Sequence, residues 1–553
     1  MGKTLMTSKI WGGLLALACG CWLGCTGPAI RSQSPENEPP EQPEIELIGD
    51  LARSYGMDYV KVEGISLVSS LKGTGSDPPP SSQRAVLLAE MQRRKVPHAG
   101  RVLASPDTSM VLVRGYLRPG IQKGDRFDVD VRIPSRSETS SLRGGYLLES
   151  RLTEMAVLGN QVHKGHLLAL AAGAVLVDPS AASNENKVHQ TRGRVLSGAV
   201  ALKSRSLGLI MRDDYHSIRV SQQIGEAINR RFHTYVQGVR QGVATPKTDE
   251  FVELIVHPRY QENVSRYMRV IRSIAYRETT AQHARRVRLL ERQLLDPVTS
   301  RTAALRLEAI GKDSIEILER TITAEDPEIR FYAAEALAYL DDADAAEVLG
   351  VIAKEQPAFR VHALAAMSTM DNIVAYEQLR DLLSVSSAET RYGAFRALWE
   401  MNSNDGLVRG ESLGGQFSYH VLDVKGPPMV HVTRSHRPEI VIFGRGQKFK
   451  PPMMLEAGQH ILVNGLSGGE VTVSRFEVGK ADQQRSVGAS LDEVIRAIVE
   501  LGGSYPDVVQ ALQQAKDSGS LEARFEVDAL PEVGRAYHRD AENEEQDEPL
   551  AGA

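Results

Sequence analysis

The alternation of apolar and polar positions divides this chain into two sheet-forming flanks and a helical middle. In the first flank Phe127, Val129, Val131 and Ile133 alternate with Asp128, Asp130 and Arg132, so one face of a strand suits a core and the other suits water. Pro119, Gly120 and Gly124 shape the turn that leads into it. The polar run 135–141 has nothing to bury and is expected as an exposed loop. Arg143-Gly144-Gly145 can then adopt backbone angles closed to other residues before a strand starts at Tyr146. Residues 110–116, 167–177 and 251–256 read as further strands, the second bent at Gly173. A short helix is expected over 83–93, and Val220, Ile224, Ala227 and Ile228 form the apolar stripe of another.

From about residue 263 to 402 strand signals give way to Ala, Leu, Glu and Arg at helical spacing, and a repeat emerges. Arg301, Arg330, Arg360 and Arg391 lie 29, 30 and 31 residues apart. Three positions after them stand Ala304, Ala333, Ala363 and Ala394, so each arginine opens a helix whose apolar stripe has the same phase. Leu318, Leu349 and Leu379 fall on the second helix of each pair, with Asp326-Pro327 and Gln356-Pro357 at turns. Helix pairs at this period predict a short α-solenoid of the HEAT type, because one pair can bury its stripe only against the next. Beyond Gly406 strands return. Residues 428–432 and 439–444 predict a hairpin, and 460–463 a strand. Ser490 as N-cap with Glu493 predicts a capping box; a second helix spans 505–517 and stops at Gly519, and 521–527 is a last strand. The fold class is α+β: mixed β-rich flanks with an inserted α-solenoid.

The length of 553 residues suggests three domains or more. Lys3 and Lys9 precede an apolar stretch, 10–23, too short and Gly-rich for a good membrane span and suited to a secretory signal. All three cysteines lie here. Gly20-Cys21 and Leu23-Gly24-Cys25 both resemble the small-residue-then-Cys site of bacterial lipoproteins. Cys25 is the preferred lipidation site, because it leaves the longest apolar run before it and a polar tether after it. An ordinary cleaved signal with incidental cysteines is the other reading. Cleavage at Cys25 would leave no other thiol, which excludes internal disulfides, thiolate metal sites and Cys-based catalysis. A balance of 65 basic against 70 acidic residues, with 5% aromatics, does not suit nucleic acid. Gly73-Thr74-Gly75 follows an apolar strand but lacks the Gly-Lys-Ser/Thr and the helix of a phosphate cradle. His163 and His166 flank Lys164-Gly165 in an expected loop, with no third metal ligand nearby. Neither an enzyme nor a cofactor is expected.

Several of these segments resemble one family. Pro119-Gly120, then Gly124-Asp125 with Asp128-Val129 and Val131, and downstream Ser141-Leu142-Arg143-Gly144-Gly145, are similar to motifs of the bacterial flagellar P-ring proteins. So are Gly73-Thr74-Gly75 and the helix with Ile224, Ala227, Ile228 and Asn229. The run Ser490-Leu491-Asp492-Glu493-Val494-Ile495-Arg496-Ala497, with Pro506-Asp507-Val508-Val509-Gln510-Ala511-Leu512 after it, is the most specific match. The resemblance implies a structural subunit that closes side by side with copies of itself into a periplasmic ring around the motor rod, partnered by rod and L-ring proteins. The expected organisation is a lipoprotein-type signal at 1–25, a disordered tether at 26–44 and a P-ring-like region at 45–262. A HEAT-like insertion at 263–405, a second P-ring-like region at 425–530 and an acidic tail at 531–553 complete it. Ring contacts, or the loops that carry them, are expected at Gly73, Thr74, Gly75, Phe127, Arg143, Gly144 and Gly145; turn chemistry within one subunit accounts for the glycines equally well. The alternative is a periplasmic adaptor, lipid-anchored to the outer membrane, whose repeats bind a partner protein.

Overall fold

Six antiparallel strands close a barrel in the order Val60–Ser69, Ser109–Leu117, Arg126–Arg132, Arg192–Ala201, Gln161–Ala174 and Tyr146–Leu158. The computed structural model in which they are seen describes residues 45–158, 161–178, 187–537 and 539, with the side chains of 155–164 and 187 excepted. The signal with Cys25, the tether and residues 540–553 lie outside the described residues. Val62, Val111, Val113, Val129, Val131 and Leu147 point into the barrel and are buried, joined by the smaller Ala169 and Ala199. Their alternation with outward charges is the period-two pattern of the sequence. Gly173 has φ +148°, and there the pairing with Tyr146–Leu158 shifts register. His163 and His166, expected in a loop, instead belong to the strand Gln161–Ala174, whose pairing with Tyr146–Leu158 shifts register between Lys164 and Leu167. The helices Ser82–Arg93 and Ala99–Leu103 cover Leu67 and Met110 on the barrel's outer face.

Beside the barrel stands a four-stranded sheet in the order Ala52–Tyr55, Leu207–Met211, Phe251–Leu254 and Ala244–Pro246. The helix Ile218–Arg231 lays its predicted stripe of Ile224, Ala227 and Ile228 on the same core. That core continues without a break into the helices.

After Val264–Arg272 and Thr280–Leu294 comes a run of helices. Ser300–Ile310, Pro327–Leu340, Arg360–Met367 and Ala388–Met401 pack one on the next, with Ala345–Glu355 and Ile373–Leu382 beside them. Ala304, Ala333, Ala363 and Ala394 are buried, as are Leu318, Leu349 and Leu379. The recurring arginine has a local task. Arg330 donates to the carbonyls of Ala324 and Glu325, Arg360 to those of Ala353 and Lys354, and Arg391 to that of Leu383. Each guanidinium thus satisfies carbonyls that the preceding helix or turn leaves without intrahelical partners.

The chain then builds a five-stranded sheet ordered Glu411–Leu413, Phe417–Leu422, Glu439–Phe443, Met429–Val432 and Arg524–Val527, which contains the predicted hairpin. Leu422, Met429, Val441 and Phe443 face the helical core, while Tyr419, Val430, Val432, Ile440 and Ile442 face the opposite way. That second face packs on the helices Leu491–Glu500 and Tyr505–Asp517 and on a four-stranded antiparallel sheet beginning at Met453–Ala457. Burial on both sides explains the unbroken apolar run Ile440-Val441-Ile442-Phe443. The capping box expected at Ser490 and Glu493 does not form. The Ser490 side chain makes no cap hydrogen bond, and Glu493 reaches past Ser490 to accept from the Gly488 N–H at 2.8 Å. Ser504 and Asp507 form such a box on the next helix instead. Residues 531–537 and 539, expected in a tail, lie on the helical run: Arg535 pairs with Glu389, Tyr537 packs 4.9 Å from Phe359, and Arg539 pairs with Glu328.

Candidate functional site

The glycine-rich motifs meet at one end of the barrel, and there they bind each other. Past Val60–Ser69 the backbone turns through positive φ at Ser70, Lys72 and Gly73. The Gly73 N–H donates to Asp107 Oδ1 at 3.0 Å, and the Gly75 N–H to the Pro106 carbonyl at 2.7 Å. Thr74 Oγ1 lies 2.8 Å from the Leu71 carbonyl oxygen and 2.9 Å from that of Ser141, and the Thr74 carbonyl accepts from the Ser140 N–H. The loop 135–141 is therefore not wholly exposed. Thr139 is buried because the hydroxyls of Ser76, at 3.0 Å, and Ser109, at 2.7 Å, satisfy it. Gly144 has φ +71°, and a Cβ on Gly145 would press on Leu71 Cδ2 at 2.8 Å and the Leu142 carbonyl at 2.9 Å. Phe127 is half-buried against the barrel core, its ring occupying the space left by Gly115, where a Cβ would lie 2.7 Å from it.

These contacts predict a graded response. Gly75→Ala is expected to cost about 1–3 kcal/mol, because its Cβ would meet the backbone carbonyls of Pro106 and Thr108. Gly73→Ala, which faces open space at φ +88°, is expected to cost about 1 kcal/mol. Thermal melts of the two variants in the opposite order would contradict this account.

The same end of the barrel is joined to the C-terminal sheets. Lys72 Nζ donates to His460 Nδ1 at 2.6 Å, and Gln459 Nε2 to the Arg143 carbonyl at 3.0 Å. Arg143 lines a cleft of about 470 Å³ with Glu456, Gln459 and Gln510; burial pulls its guanidinium below the usual range, against the pull of Glu456 and Asp507. At a second junction Asp128 accepts from the Ser197 N–H at 2.8 Å and the His436 N–H at 2.6 Å, while Ser197 Oγ donates to the His436 carbonyl. Burial raises the Asp128 pKa despite both N–H donors. None of these pairs is signalled in sequence, since the partners lie from 69 to 388 residues apart.

Gly465-Leu466-Ser467-Gly468-Gly469 has the spacing of a nucleophile elbow, but it turns between the antiparallel strands Ile461–Gly465 and Glu470–Arg475 rather than from a strand into a helix. The hairpin His233–Val236 and Val239–Gly242 carries Tyr235, Val236 and Val239 at 68%, 51% and 69% exposure. In sequence these residues are indistinguishable from core.

A family model described as Flagellar P-ring protein matches residues 47–293, from the start of the first sheet into the helix Thr280–Leu294. The Flagellar P-ring protein of Chromohalobacter salexigens is 27% identical over 246 residues, 42% of this chain and 59% of that protein. That of Sodalis glossinidius is 30% identical over 203 residues, 34% and 52% of the two chains, and that of Aquifex aeolicus 29% over 195 residues, 34% and 51%. The chain thus spans between half and three-fifths of the length of these relatives.

Proposed function

We propose, since residues 47–293 belong to the flagellar P-ring protein family, that this chain is a structural subunit of the flagellar basal body that assembles with copies of itself into a periplasmic ring around the motor rod. The family is structural, not catalytic. The observation that carries the proposal is the match itself, which takes in all six barrel strands and the adjoining four-stranded sheet. The finer reading places 263–405 as a HEAT-type solenoid spliced between P-ring-like regions at 45–262 and 425–530, with rod and L-ring proteins as neighbours and lipid on Cys25. The same-phase burial of Ala304, Ala333, Ala363 and Ala394 supports the solenoid. Electron microscopy of the purified mature chain tests the main claim: closed rings are expected, and a monomer at every concentration would sink it.

Within this reading the 233–242 hairpin is a contact between copies, because it holds three exposed apolar side chains on a two-stranded ribbon. Tyr235→Ser with Val239→Ser is expected to reduce ring formation at least tenfold while leaving the melting temperature of the single chain within about 2 °C. Rings formed as readily by this variant would remove the hairpin from the contact.

A further inference from the structure

We infer that the groove between the helix Ser82–Arg93 and the outer face of the barrel binds a single-chain amphiphile with an anionic head, namely a long-chain fatty acid. The outer face of the strands Val60–Ser69 and Ser109–Leu117 changes character row by row. Leu67 pairs with Met110, Ile65 with Leu112, and Glu63 with Arg114. Helices cover the first row, so Leu67 and Met110 are buried. The second row lines an open cavity of about 810 Å³, joined by Val86 of the helix and Leu148 of the neighbouring strand, which are 40% and 41% exposed. An isolated barrel in water would carry polar groups at these outward positions. The third row is charged. The cavity thus runs from a dry apolar end under the helix to a wet polar end.

Charge decides what the polar end accepts. Six basic side chains line the cavity against three carboxylates. Glu63 is shared by Lys61 and Arg114, at 2.9 and 2.8 Å. Glu90 is shared by Arg93, Arg94 and Arg151, the last at 3.7 Å. Arg132, beside Leu112 in register, has no ion-pair partner among the described residues. A ligand carboxylate adjoining Arg114 and Arg132 supplies the missing negative charge, while its alkyl chain covers Ile65, Leu112 and Leu148. The volume lies in the range of about 300–1,000 Å³ typical of small-molecule sites. An added peptide strand fits poorly, because the barrel is closed and offers no free edge here.

Calorimetric titration of the full chain with palmitate, below its aggregation concentration, tests the site, with hexadecanol as the uncharged probe and lysophosphatidylglycerol as the phosphate-headed one. Saturable binding of one palmitate per chain is expected, at least tenfold tighter than either other probe. Arg114→Ala with Arg132→Ala should weaken palmitate at least tenfold and leave hexadecanol unchanged. Leu148→Glu, at an exposed position that does not threaten folding, should abolish binding of all three, with circular dichroism showing an intact fold. No saturable palmitate binding, or unchanged affinity in Leu148→Glu, would overturn the site. Tighter binding of the lysophospholipid than of palmitate would overturn the carboxylate head.

Discussion

Glu308→Ala is expected to destabilise the chain by about 3–5 kcal/mol, the usual result of removing one partner from a buried ion pair. Glu308 lies on Ser300–Ile310 and is fully buried. Its Oε2 accepts from Arg266 at 3.0 and 2.5 Å, and its Oε1 accepts from the Tyr260 hydroxyl at 2.6 Å. The other end of the Arg266 guanidinium reaches Glu335 at 2.5 Å, and its flat face lies 4.5 Å from the Tyr339 ring. Burial works against the charge on Arg266, but Glu308 and Glu335 outweigh it and hold the guanidinium protonated. Truncating Glu308 strands the Tyr260 hydroxyl and removes the carboxylate that Arg266 holds with two donors. The consequence reaches beyond one helix. Tyr260 and Arg266 fall within the family-matched residues 47–293, whereas Glu308 and Glu335 lie past them. This network therefore fastens the helical run to the part of the chain shared with P-ring proteins. Denaturant melts of the variant and the parent supply the measurement. A loss under about 1 kcal/mol would mean that water or rearranged side chains replace Glu308 without difficulty.

What the sequence made legible was set by the distance over which each cause acts. Phe127 to Arg132 could be read as a strand because its two faces alternate within the segment itself. The helical repeat could be read because Arg330, Arg360 and Arg391 each serve a carbonyl no more than eight residues away. The glycines of 73–75 and 143–145 could be recognised as conformationally special, but the reason lay elsewhere: Gly75 is hemmed in by Pro106 and Thr108, and Gly145 by Val68 and Leu71. Thr139 looked like a surface residue because its partners, Ser76 and Ser109, are supplied by other turns. The same holds for Glu493, whose local cap lost to the Gly488 N–H, and for Arg535 and Tyr537, whose partners sit on helices far back along the chain. Tyr235 and Val239 mark the opposite limit. Pattern identifies an apolar side chain but not whether its own chain covers it.

Acid is expected to weaken the fold as pH falls from about 6.5 towards 3, with His431 as the principal cause. His431 sits on Met429–Val432, fully buried, with its ring centroid 3.6 Å from that of Tyr392. Its Nε2 accepts from the Ala529 N–H at 3.0 Å, so the ring proton belongs on Nδ1, which has no hydrogen-bond partner among the described residues. Burial draws the pKa from 6.5 down to about 3. The unfolded chain therefore binds a proton below about 6.5 that the folded chain refuses until about 3. Between those values the unfolded state carries more protons, so this contribution is complete above 6.5 and declines as the medium is acidified. The slope is about 1.4 kcal/mol per pH unit, at most about 4–5 kcal/mol over the whole window. Paired carboxylates add a separate loss at lower pH, as with Glu389, which Arg535 holds below the usual range. His431→Gln separates the two effects, since an amide oxygen can still accept from Ala529 while nothing titrates. Urea melts at pH 7.5, 5.5 and 4.5 should show the parent losing stability over this interval and the variant losing about 2–3 kcal/mol less by pH 4.5. Parallel profiles for the two proteins would assign the acid sensitivity to other groups, the paired carboxylates and His257, whose pKa burial lowers to about 4.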